Sequence, residues 1–98
     1  MKAITLSDMI NEQMKDESFS VEYERELLIN AIAQLVVKLR KNKKLTQSQL
    51  AEKLGTTQSV IARLESGSDS RMPSLDMLTR IASATQMKIN LSFEDTRN

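Results

Sequence analysis

Between Gly55 and Glu65 the chain reads GTTQSVIARLE, and several of these side chains carry hydrogen-bonding chemistry suited to flat heterocycles. A Gln amide sets a donor beside an acceptor, the arrangement that an adenine edge complements. An Arg guanidinium offers parallel donors, which match a guanine edge. Gln58 and Arg63 supply these groups, Ser59 can bond to several bases, and Val60 can meet a thymine methyl. Nearby, Thr56 and Thr57 carry hydroxyls, Lys44 an ammonium and Gln47 an amide, all able to engage phosphate oxygens. Gln47 also opens a helix, where free backbone N–H groups favour an anion.

Bond-breaking chemistry is not supported in the same way. The chain has no cysteine and no histidine, which removes the thiolate and the commonest general base and zinc ligand. Asp and Glu pairs occur, but without His, Cys or a glycine-rich phosphate loop they assemble no catalytic constellation. We expect no enzyme, no metal and no cofactor.

The elements that must position these groups follow from the punctuation. Gly55, Gly67 and Pro73 are the only glycines and proline in 98 residues, so helices with short connections are expected. Ser7 can cap a short helix to about Lys15, with Leu6, Ile10 and Met14 on one stripe. From about Ser20 to Lys41, Leu28, Ile32, Leu35, Val36 and Leu39 recur at helical spacing, widened by Leu27 and Ala31. Such a helix is a rod of roughly 30 Å.

Thr46 and Gln49 have capping-box spacing and open the next helix, whose buried stripe is Leu50, Ala51 and Leu54. Gly55 falls where a helix ends with positive φ. Thr57 can cap a following helix carrying Val60, Ile61 and Leu64, which Gly67 closes. After the loop SDSRMP, Ser74 can cap a last helix with Leu75, Leu78, Ile81 and Ala82. Two helices of about eight residues joined by a glycine turn form a helix-turn-helix. The first-turn residues of its second helix, Gln58 and Ser59, would then reach base edges.

The tail differs. Met87, Ile89, Leu91 and Phe93 alternate with Lys88, Asn90, Ser92 and Glu94, a period of two that predicts a strand. A lone strand needs a partner, and KAITL near the start is a weak candidate within the chain. Antiparallel pairing between two copies about a two-fold axis is the simplest solution, and extension of a partner protein's sheet is the competing one.

Charge adds a second theme. Net charge is +1, yet residues 1–26 hold three basic and seven acidic groups, whereas residues 38–63 hold seven basic groups and Glu52. A basic segment beside an acidic one points to two partners, one a polyanion; unevenly charged solvated helix faces are the plainer explanation. No membrane-length apolar run and no signal-peptide pattern is present, so a soluble, cytoplasmic protein is expected.

The run LTQSQLAEKLGTTQSVIARLESG closely resembles the helix-turn-helix of the phage repressor and Cro superfamily, the xenobiotic-response-element type. The resemblance covers about Leu39 to Ala84. It implies a buried ion pair between an arginine of the first helix and a glutamate ending the recognition helix, positions held here by Arg40 and Glu65. It also implies operator double-stranded DNA as partner. The family's loop after the recognition helix is often more basic; here Arg71 stands alone and Asp69 opposes it.

MPSLDMLTRIA and KINLSFE, with the acidic N-terminal region, further resemble HigA-type antitoxins. That resemblance implies a basic, RelE-like (HigB-type) ribonuclease toxin as partner and repression of a shared operon. Met9, Ile10, Met14, Phe19 and Tyr23, set among acidic residues, suit such a surface; a helix folded back on its own domain is the alternative. The expected fold is all-α, a repressor-like helix-turn-helix bundle with an N-terminal helical extension and one C-terminal β-strand pairing between chains. Residues 1–19 are an acidic arm, 20–86 the DNA-binding domain with its motif at 46–65, and 87–98 a dimerising strand and tail. A stand-alone repressor without a toxin is the competing reading. A helical hairpin serving protein contacts would leave Gln58, Ser59 and Arg63 as ordinary surface polars.

Overall fold

The computed structural model describes residues 20–68 and 71–95. The arm residues Met9, Ile10, Met14 and Phe19, and the short helix expected from Ser7, lie outside the described residues.

Four helices follow in order: α1 (Val21–Asn42), α2 (Gln47–Leu54), α3 (Gln58–Ser66) and α4 (Leu75–Ala84). Each begins on a hydroxyl cap, at Ser20, Thr46, Thr57 and Ser74. The Ser20 and Ser74 oxygens each accept from a backbone N–H three residues on, at 3.0 Å. These bonds satisfy donors that the helix itself cannot. Glu22 and Glu24 sit in the first turn of α1, and Arg40 and Lys41 in its last, each sign where the helix dipole favours it.

The core lies where the helices cross. Leu50, Ile61 and Ile81, from α2, α3 and α4, are almost wholly buried and close on Ile32, Val36 and Leu39 of α1. Burying one such side chain contributes about 1.5–3 kcal/mol. Helix α2 packs on both α3 and α4, and α1 packs on α3.

The contact between α1 and α3 engages more of α1 than its expected stripe. Ile29 and Ala33 are buried, whereas Leu28 is only half-buried. Gly67 explains the close approach. It ends α3 at φ 68°, and a Cβ there would stand 2.7 Å from Asn30 Oδ1 and 3.6 Å from Ala33 Cβ. Leu75, at the exposed start of α4, is 61% accessible.

The expected C-terminal strand requires correction. No strand occurs among the described residues, and 87–95 runs without regular structure. Met87 N–H donates to Ala82 O at 2.7 Å, closing α4, and Met87 packs on the core. Ile89, Leu91 and Phe93 become progressively exposed, at 37%, 60% and 105%. A strand exists only with a second strand to pair with, and the described residues offer none.

Candidate nucleic-acid interface

The turn between α2 and α3 is built from local interactions. Thr46 Oγ1 accepts from Gln49 N–H at 3.0 Å, while Gln49 Oε1 accepts from Thr46 N–H at 2.8 Å, completing the capping box. Gly55 takes φ 71°, a conformation that resists a side chain. Thr56 N–H reaches back to Ala51 O at 2.9 Å. Thr57 caps α3 through a longer bond, 3.4 Å from Val60 N–H.

This geometry brings four polar side chains into one continuous path. Arg40 grips Glu65 at two points, Nε to Oε2 at 2.6 Å and Nη2 to Oε1 at 2.9 Å. Its remaining nitrogen, Nη1, donates to Leu45 O at 2.8 Å, which ties the pair to the connection before α2. Gln47 Nε2 then donates to Glu65 Oε1 at 3.0 Å, and Gln58 Nε2 donates to Gln47 Oε1 at 2.7 Å.

Chemistry dictates the direction of that path. An ionised carboxylate only accepts, so Gln47 must turn its NH2 toward Glu65 and its oxygen away. That oxygen can only accept, so Gln58 turns its NH2 inward. The exposed Gln58 amide keeps its oxygen and its second N–H for an outside partner. One acceptor beside one donor is the set that an adenine edge requires.

The ion pair is well enclosed, with side chains 13% and 4% accessible for Arg40 and Glu65. Burial works against the Glu65 carboxylate, but hydrogen bonds from Arg40 and Gln47, aided by the charges of Arg40 and Lys41, outweigh it. The group is therefore held below its ordinary pKa. Arg40 is pushed further toward its charged form, chiefly by its hydrogen bond to Glu65.

Other expected contact residues are placed differently. Ser59 and Arg63 are exposed and share a face of α3 through their four-residue spacing. Lys44 is exposed at φ 57° in the turn after α1, and Thr56 is half-buried. Val60 is half-buried rather than exposed, and it lines a cavity together with Arg63 and Arg71. Gln47 is also half-buried. Its amide serves Glu65 and Gln58, which leaves its backbone N–H and second amide proton for a phosphate. Tyr23 is half-buried near the start of α1. Sequence reasoning missed Leu45 O as the third anchor of Arg40, since a backbone carbonyl leaves no trace in residue type.

Among the described residues no cluster of acidic side chains could hold a metal ion. No helix among them is long and apolar enough to cross a membrane. Compared with models of protein families, residues 36–91, more than half of the chain, match the helix-turn-helix family. No curated protein and no solved structure matches the chain.

Proposed function

Since this chain belongs to the helix-turn-helix family, and so to sequence-specific DNA-binding transcriptional regulators, we propose that it is the antitoxin and repressor of a type II toxin–antitoxin pair. The observation that carries the DNA-reading part is the Gln58–Gln47–Glu65–Arg40 path. It holds a base-reading amide in a defined orientation at the N-terminus of α3. In this reading Gln58, Ser59 and Arg63 face base edges, and Lys44, Gln47, Thr56, Thr57 and Arg71 serve the backbone.

The antitoxin part rests on the N-terminal region. Glu22, Glu24 and Glu26 are exposed on α1 beside Val21, which is 76% accessible. They continue the acidic, apolar-bearing character of residues 1–19 and suit a basic, RelE-like ribonuclease. The exposed Ile89, Leu91 and Phe93 suit a second copy, whose segment could pair with this one and present two recognition helices to a symmetric operator.

Co-purification with the product of the neighbouring gene, followed by binding to the upstream DNA, tests the whole reading. A stable complex with a small basic protein, and binding that weakens steeply with salt, is expected. Binding to the DNA with no neighbouring partner would leave a stand-alone repressor.

A further inference from the structure

A cavity of about 320 Å³ opens beside the recognition helix. Ile29 of α1, Val60 and Leu64 of α3 and Met77 of α4 make it apolar, and Arg63 and Arg71 add positive charge to its lining. Its chemistry suits an amphipathic segment that carries acids beside an apolar stripe.

The chain contains such a segment. Asp8, Glu12 and Asp16 recur every four residues, and Met9, Ile10 and Met14 lie between them. At helical spacing the acids form one row next to the apolar side chains. We propose that residues 1–19 dock in this cavity, with Ile10 and Met14 against its apolar lining and the acid row against Arg63. The arm then covers Arg63, one of the base-reading groups, so the proposal rests in that respect on the DNA-binding reading above.

Reach permits it. Ser20 caps α1 and Ile29 follows nine residues later, about 14 Å along the helix axis. The six steps from Met14 to Ser20 span up to about 20 Å when extended. Tethering also lowers the affinity required, because belonging to the same chain holds the arm at an effective concentration on the order of millimolar. Millimolar intrinsic affinity thus keeps the cavity about half occupied, enough to compete with DNA without abolishing its binding. A partner that takes up Ile10 and Met14 would free Arg63.

The absence of cysteine allows a direct test in the full chain. Met72 lines the cavity and is 38% accessible. In a Met14→Cys, Met72→Cys variant, mild oxidation should give a bridge within one chain. A Met14→Cys, Ser83→Cys control should not bridge at a comparable rate. Binding to a mixed-sequence 30-bp duplex at low salt should be several-fold weaker for the oxidised first variant than for the same protein reduced. The Ile10→Asp, Met14→Asp chain should bind that duplex about 2-fold more tightly than the parent, the size expected for releasing a half-occupied tether.

Equal bridging of both pairs, or bridges only between chains, would overturn the docking. Unchanged DNA binding on bridging would overturn the masking of Arg63. If the reduced protein bound no duplex, the DNA-binding reading would fall and the masking with it, while bridging still reports the docking independently.

Discussion

Gln58 Nε2 lies 2.7 Å from Gln47 Oε1, so the first residue of the recognition helix is held by the first residue of the helix before it. The bond ties the Gln58 amide, the base-reading group in our proposal, to the ion pair beneath it through Glu65. Gln47 therefore positions the Gln58 amide.

On a cognate operator, Gln58→Ala should cost about 1–3 kcal/mol and relax base preference. Gln47→Ala should also reduce the ratio of specific to non-specific binding, because Gln58 loses its orienting partner. Lys44→Ala should weaken all duplexes alike and reduce the salt slope by about 1. Titrations of cognate and mixed-sequence duplexes at several salt concentrations separate these outcomes. A Gln47→Ala protein with unchanged specificity would refute the positioning role.

Arg40 and Glu65 should be strongly coupled. Removing either partner strands an enclosed charge and should cost about 3–5 kcal/mol, whereas replacing both with apolar side chains of similar volume should be much milder. Urea denaturation of Arg40→Met, Glu65→Leu and the double variant provides the cycle. Additive losses would mean that the pair contributes no coupling.

The lowered Glu65 pKa has a defined sign. Between its folded pKa and the ordinary carboxylate value, the unfolded chain binds more protons than the folded one. The resulting stability is fully present above the ordinary value and is lost as pH falls through the folded one. Urea midpoints for the parent should therefore drop below about pH 4.5, and Glu65→Gln should lose part of that pH dependence. Parallel pH profiles for the two proteins would contradict this account.

The two helix-ending glycines should respond differently to alanine. A Cβ at Gly55 meets nothing within 4 Å, so Gly55→Ala should cost only the left-handed backbone, about 1–2 kcal/mol. Gly67→Ala adds a clash with Asn30 and should cost more, with the excess relieved by Asn30→Ala. Thermal unfolding of the three variants is the measurement. Equal costs at the two glycines would mean that the Asn30 side chain simply moves aside.

Self-association should depend on the exposed tail. Leu91 is 60% accessible in the single chain, so Leu91→Asp should leave helix content intact while weakening any dimer. Sedimentation velocity decides: a variant that remains fully dimeric without other partners excludes the tail as the dimer contact.

The helix starts and stops were legible in the sequence because their causes are local. A cap at Thr46, Thr57 or Ser74 acts on a backbone N–H three residues away, and Gly55 and Gly67 mark positive φ through residue type alone. The Arg40–Glu65 pairing came from resemblance to a known family, and the structure shows its geometry.

Other features were decided by the tertiary structure. Gln47 and Gln58 are eleven residues apart, and only the angle between α2 and α3 sets their amides in contact. Ile29, Asn30 and Ala33 lie off the main stripe of α1 and acquire their roles only when Gly67 lets α3 come close. Val60 is apolar in the sequence, and the packing of α1, α3 and α4 leaves it half-buried in a cavity wall. The tail shows the same limit from the other side. Its alternation at Met87, Ile89, Leu91 and Phe93 is plain in the sequence, yet no strand occurs among the described residues, because alternation specifies a face while a strand also needs a neighbour for its backbone hydrogen bonds.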